Sequence, residues 1–244
     1  MRNSLLVLAL LAVAPCAHAV QPNPFSGFAQ NAASSYLKPF ALDLGGLLGA
    51  STVDTGRTYG FPGFWVGGDA VLQTRPDRND QILRAANVHA FALPMIQAGV
   101  GLPFGVDVIV HGVGAYGVSI YGGGVRKSLF RTELLDTFLP NVSVSAFGDK
   151  VNGGAFTASH GAANATAMWN LPLIKPFVEA GYDLTRVSVS AAQVPGLAGV
   201  SATSNGTRLE GGVDLTPFPF MDLRLAVMEL HGITGGQLGL GVTF

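Results

Sequence analysis

Glu179 and Asp183 stand four residues apart in a run that otherwise alternates apolar and small residues. Glu210 and Asp214 repeat that spacing further on, with Arg208 and Arg224 close by in sequence. Paired carboxylates on one face are the raw material of general acid–base chemistry. Several carboxylate oxygens close together also hold a hard cation. A plainer use is a network of ion pairs inside a narrow β structure, where it neutralises buried charge and fixes strand register.

The surrounding residues decide which side of a wall these groups occupy. Val178, Ala180, Tyr182 and Leu184 alternate with Glu179, Gly181, Asp183 and Thr185. Leu209, Gly211, Val213 and Leu215 alternate with Arg208, Glu210, Gly212 and Asp214, and Met221, Leu223, Leu225 and Val227 flank Asp222 and Arg224. A two-residue period puts each set on one side of a sheet. An Arg turned to hydrocarbon near a bilayer midplane costs about 2–4 kcal/mol, so Arg208 and Arg224 are expected to face a lumen together with Glu179, Asp183, Glu210 and Asp214.

Other chemistry finds little support. His89, His111, His160 and His231 lack the spacing of a metal site, and no metal is expected. Ser159 and His160 are adjacent, but neighbouring strand residues point to opposite faces and make no dyad. No Gly-x-Ser-x-Gly elbow occurs, and Gly122–Gly124 lack the Lys-Ser/Thr step of a phosphate loop. Asn141, Asn164 and Asn205 open chance matches to glycosylation sites. The reading is of a non-enzyme without cofactor. The net charge of −1 gives no basic surface for nucleic acid.

The elements that position these groups read as strands. Charged residues are 12% of the chain, against roughly 25% in soluble domains, and glycine is 33 of 244 residues. Leu5–Ala14 is a signal-like apolar run behind Arg2, too short to span as a helix, and Ala17-His18-Ala19 is a cleavage pattern. Residues 1–19 are read as an export signal; Pro15 beside Cys16 argues against lipidation. The mature chain offers no run long enough for a membrane helix, so a closed barrel is the remaining way to satisfy its backbone in lipid. Ten strands are expected near 62–74, 88–100, 105–113, 117–130, 141–150, 156–171, 176–190, 204–217, 220–230 and 235–244. Every second connection carries proline beside an apolar residue (Pro103, Pro140, Pro172, Pro219), as two unlike ends of an up-and-down barrel require. The strand near 88–100 is apolar on both faces and contains Pro94, and Arg126 and Lys127 must take opposite faces. The chain stops on Leu238-Gly239-Leu240-Gly241-Val242-Thr243-Phe244, and Phe244 is read as a signal to the outer-membrane barrel assembly machinery.

Residues 20–60 differ. Phe25, Phe28, Ala32, Tyr36, Phe40, Leu44 and Leu47 recur at three- and four-residue steps, a helical stripe. Pro39 is expected to break it into a helix near 25–37 and a short element near 40–48. It either plugs the barrel mouth or lies at the membrane interface; a third reading makes 40–55 further strands, for a total of twelve.

Tyr36-Leu37-Lys38-Pro39-Phe40, Tyr59-Gly60-Phe61-Pro62-Gly63-Phe64, the Leu139-Pro140 turn before Asn141–Ser145 and the terminal Phe resemble uncharacterised outer-membrane barrel proteins of Gram-negative bacteria. More distantly the chain is similar to long-chain fatty-acid transporters of the outer membrane, which are longer and have more strands. The resemblance implies an all-β transmembrane antiparallel barrel of about ten strands (8–12), in the outer membrane, with the lipid bilayer as partner. It brings no activity, and the residues leave two functions. One is a narrow channel or binder of a small hydrophobic molecule lined by Phe91, Leu93, Met95 and the helical stripe. The other is a structural or surface-interaction barrel with a filled lumen, working through the 75–87 and 191–203 loops.

Overall fold

Strands with one apolar and one polar side bury neither side alone; rolling the sheet shut puts the polar side within and leaves no edge unpaired. The computed structural model, which describes residues 23–56, 58–130, 139–191 and 193–244, has this form. The export-signal reading falls in residues 1–22, outside the described residues. The strands are β1 Phe64–Gln73, β2 Phe91–Leu102, β3 Val106–Ala115, β4 Val118–Phe130, β5 Asn141–Gly153, β6 Phe156–Met168, β7 Ile174–Val189, β8 Ser201–Phe218, β9 Met221–Leu230 and β10 Ile233–Thr243. Each pairs antiparallel with its neighbours in sequence, and β1 pairs with β10 (Val66 opposite Val242) to close the barrel.

The proline connections gather at the end where β1 begins and β10 stops, here called the turn end. Phe61, Phe64, Phe104, Phe130, Phe218, Phe220 and Phe244 all stand exposed there, a one-sided aromatic girdle. The terminal residue is tied by backbone bonds to Phe64, 2.8 and 3.2 Å long. At the opposite, loop end, β3–β4 and β9–β10 are joined by Tyr116-Gly117 and His231-Gly232, with φ of 56°, 76°, 54° and 88°. Two successive positive φ values mark the turn whose twist matches flanking strands. Pro94 points outward in β2, and the β2–β3 ladder begins only at Ile96, so the missing N–H breaks no rung.

The N-terminal segment lies inside the barrel. It contains α1 Phe28–Asn31 and α2 Leu37–Ala50. The sequence reading placed a break at Pro39, and the structure corrects it: Pro39 is the third residue of α2, in the first turn, where its missing N–H has no helical partner to lose. The expected helix over 25–37 reduces to the single turn α1, and Tyr36 sits exposed ahead of α2 rather than on the buried stripe. Phe25, Phe28, Phe40, Leu44 and Leu47 are buried. Two strands over 40–55 are excluded by α2 itself.

From the loop end α2 descends against β7 and β8, and residues 51–56 and 58–59 lie toward the turn end before β1 starts. Gly45, Gly46 and Gly49 make this path fit. A Cβ on Gly49 would lie 2.0 Å from Arg208 Nη1 and 2.1 Å from Asp183 Oδ1, and one on Gly45 would lie 2.2 Å from Thr185 Oγ1. Each glycine costs a helix about 1 kcal/mol relative to alanine; here that cost is the condition for the helix to touch the wall. The loop-end half is apolar: Phe28 stacks on Phe156 at 4.6 Å, and Phe25 meets Phe91 edge-on at 5.6 Å. Ile82 and Leu83 of α3 (Gln81–Ala85) close over them.

Candidate functional site

Below the aromatic cluster the lumen is polar. The six charged residues singled out from sequence all point inward and are buried, in two knots. In the first, Arg208 Nη1 donates to both oxygens of Asp183 at 2.7 and 2.9 Å, while Nη2 donates to Asn164 Oδ1 at 2.7 Å and Glu179 Oε1 at 3.3 Å. Thr166 donates to the other Glu179 oxygen at 3.0 Å. In the second, Arg224 Nε lies 3.5 Å from Glu210 and 3.6 Å from Asp214, with its guanidinium 3.9 Å over the Phe177 ring.

The structure adds members that the sequence reading left out. His111 and His160 both bind Asp149, the latter at 2.7 Å, and His160 Nε2 lies 3.5 Å from Asp183. His231 reaches in from the β9–β10 turn to Asp183 at 3.1 Å and donates from Nδ1 to Leu42 O of α2 at 3.1 Å. A ladder of alternating imidazole and carboxylate thus runs from β3 to the loop-end turn. Arg126, fully buried, donates to Asp107 at 3.0 Å and lies 4.5 Å over the Tyr59 ring, which stacks on Trp65. Each of Asp107, His111, Asp149 and His160 has the inward parity of its strand, a signal available by extending the alternation already used for β7–β9. Ser159 points out of the barrel and His160 into it, so the two never meet. Among the described residues no group of three His, Cys, Asp or Glu converges as a metal site.

The segment after α2 is held by its backbone and by the buried Asp54 carboxylate, which accepts from Asn164 at 2.9 Å and from Ser145. Gln237 donates to Ala50 O at 3.0 Å, Gln97 to Ser51 O at 2.7 Å, Arg126 to Val53 O at 3.4 Å, Arg224 to Asp54 O at 2.7 Å and Ser143 to Thr55 O at 2.7 Å. Five strands thereby satisfy the carbonyls that a helix C-terminus and an extended strap leave open. Asp69 anchors two of the donors, accepting from Gln97 at 2.7 Å and Gln237 at 3.1 Å. Beneath the strap, a cavity of about 170 Å³ opens at the turn end, lined in part by Tyr59, Trp65, Lys175, Asp214 and Arg224.

A second tie joins α2 to the β1–β2 loop. Asp43 accepts from Gln73 at 2.7 Å and from the Asp77 backbone at 2.8 Å, while Asp80 caps α3 through Leu83 N at 3.1 Å. Burial pushes Asp43 up to about 6 against the hydrogen bonds from Gln73 and Asp77, and burial plus the Asp43 charge push Asp80 up to about 8. A carboxyl raised above its unfolded value stabilises the fold at low pH, and the contribution is lost as pH climbs through the folded value. The tie therefore loosens from pH about 4, where the unfolded carboxyls ionise, up to about 6 for Asp43 and about 8 for Asp80. Hydrogen exchange at residues 77–88, corrected for its intrinsic pH dependence, is expected to accelerate across that window. Asp80→Asn is expected to remove the upper step, and an unchanged profile in that variant would refute the assignment.

Fold and lumen together define a closed ten-stranded barrel of the outer-membrane type whose interior is occupied by its own N-terminal segment. No family model and no curated protein sequence matches the chain. Among solved structures it is similar to an outer-membrane channel from Pseudomonas putida F1, with a TM-score of 0.51 at 7% identity over 79% of this chain and 100% of that one. It is also similar to the N-terminal β-barrel domain of Pseudomonas aeruginosa OprF, with a TM-score of 0.38 at 10% identity over 75% of this chain and 97% of that one. At such identities the likeness concerns the fold.

Proposed function

We propose that this protein is a passive channel of the Gram-negative outer membrane, held shut by residues 25–59 and opened when that segment leaves the lumen. The observation that carries this reading is the chemistry of the covered wall. Asp69, Gln97, Asp107, Arg126, Asp149, Glu179, Asp183, Arg208, Glu210, Asp214, Arg224 and Gln237 all face inward. A permanently filled barrel is served at least as well by apolar packing, since a buried ion pair is often no better than a hydrophobic replacement. The strap is held by hydrogen bonds to its carbonyls and to the Asp54 carboxylate, which water replaces when the strap departs. The uncovered lumen is hydrophilic, so the solute is a small polar molecule or ion. Phe91, Leu93 and Met95, read from sequence as the lining of a hydrophobic path, lie in the apolar cluster with the lumenal segment. Both chain ends of the barrel meet at the turn end, which this reading places in the periplasm, leaving the loop end outside.

The test is a reversible lock. A Cβ on Gly46 would lie 3.3 Å from Leu230 Cβ, a few tenths of an ångström under the usual disulfide spacing of about 3.5–4.5 Å. In planar bilayers, oxidised Gly46→Cys/Leu230→Cys protein is expected to stay closed, and reductant is expected to restore the openings of the wild type. Equal conductance with the bridge formed and broken would defeat the reading. Silence of the wild type, the reduced variant and a protein lacking residues 23–56 would leave the filled structural barrel standing.

A further inference from the structure

The outer wall carries a second feature that the lumen does not explain. The outward face of β4–β8 bears no carboxylate among the described residues. Near the loop end it bears two cations, Lys150 on β5 and Arg186 on β7, both paired in register with Ser159 between them. Lys150 Nζ donates to Ser159 Oγ at 2.5 Å, and Arg186 Nη2 donates to Ser201 Oγ at 3.1 Å. Two strand spacings separate the cations, roughly 10 Å, within reach of one anion between them. The next row toward the loops is Ser119, Asn152, Thr157, Ser188 and Ser201, all hydroxyl or amide. That row crosses four strand spacings, about 19 Å.

Directly below Lys150 and Ser159 the wall is hollow, bordered on the β7 side by the exposed Leu184 below Arg186. Gly123, Gly148 and Gly161 pair across three strands, followed by Ala146 and Ala163. Nothing in the barrel demands glycine at two of these positions. A Cβ on Gly148 or Gly161 would meet its nearest neighbour, a carbonyl oxygen, at 3.9 Å, ordinary contact. Glycine weakens a strand, and its presence in one often marks a place where a ligand approaches the backbone.

We infer that this wall is a docking surface for one phosphorylated glycolipid of the outer leaflet. Lys150 and Arg186 take its phosphate, the hydroxyl row meets its sugar hydroxyls and amides, and an acyl chain lies along the Gly148–Gly161 hollow. The cations fix the ligand's charge, and the width of the polar row selects a disaccharide headgroup over the narrower one of a glycerophospholipid. A second copy of the chain fits poorly. A two-fold axis along the membrane normal sets patches of equal depth against each other, so cations would face cations. The surface uses the orientation proposed above, loop end outward, and is independent of whether the lumen opens.

Native mass spectrometry of the detergent-solubilised protein tests this, with three probes: a bis-phosphorylated, multiply acylated glucosamine disaccharide, its dephosphorylated form, and phosphatidylglycerol. The wild type is expected to retain one copy of the first and little of the others. Lys150→Gln/Arg186→Gln is expected to lose roughly thirtyfold in affinity, at about fivefold per surface cation. Lys127→Gln, an outward cation at the turn end, is expected to bind as the wild type does. Gly148→Leu/Gly161→Leu folds into open space and is expected to weaken the fully acylated lipid while sparing its deacylated fragment. Wild-type affinity in the Lys150/Arg186 variant, equal retention of phosphatidylglycerol, or a dimer that the glycine variant dissolves would overturn the inference.

Discussion

Arg208→Met is expected to destabilise the barrel by about 3–5 kcal/mol, the usual cost of removing one partner from a buried charge cluster. Arg208 is 1% exposed and is the donor to Asp183, Glu179 and Asn164. Without it, two carboxylates remain in a space sealed above by the aromatic cluster and on one side by α2. Methionine fills the stem's volume but supplies no donor, so the deficit is electrostatic rather than a cavity. Urea unfolding in lipid vesicles reads the change, and heat-modifiable gel mobility confirms that the barrel forms. Arg78→Met, on the exposed β1–β2 loop, is expected to change stability by less than about 0.5 kcal/mol. Adding Asp183→Asn to Arg208→Met is expected to recover more than about 1 kcal/mol, because the charge left stranded is then removed. A loss below about 1 kcal/mol in the single variant would mean that water reaches the knot.

The residues of that knot illustrate what the sequence discloses. Glu179, Asp183, Arg208 and Arg224 were legible because each alternates with large apolar side chains, and hydrocarbon tolerates only one assignment of faces. The strands were legible for the same reason, and the proline connections fixed their parity. Asp107, His111, Asp149 and Arg126 follow the same period, but Asp149 and Arg126 are each followed by a lysine on the opposite face and His111 by a glycine, which blunts the contrast between faces. The His231 contact depends on a turn with two positive φ values that brings a loop residue back into the lumen, and nothing local announces it. The helical stripe told where the N-terminal segment is apolar. It misjudged Pro39, because proline breaks a helix in its interior but fits its first turn. Nor does periodicity show that Gly45 and Gly49 mark contact with the wall.

Those glycines set the second expectation. Gly45→Val/Gly49→Val is expected to evict α2 and produce sustained conductance where the wild type opens rarely. The Cβ positions fall 2.0–2.2 Å from Arg208, Asp183 and Thr185. Arg208 and Asp183 are the ends of flexible side chains, yet each is fastened by several hydrogen bonds inside a closed wall, so yielding means breaking the knot. Moving the helix is the alternative. It forfeits the apolar contacts of α2 and the carbonyl bonds of residues 50–55, but water takes over the carbonyl bonds and hydrates the charges they covered. The wall itself keeps its ten-strand ladder, so the variant should still show heat-modifiable mobility. A cysteine at Ser51, fully buried in the fold, is expected to react with a water-soluble maleimide in this background and to resist it in the wild type. Reactivity without conductance would show that the segment leaves but the wall collapses behind it, which defeats the channel. Conductance and reactivity both at wild-type levels would show that the wall gives way before the helix does, and residues 25–59 would then be a permanent core.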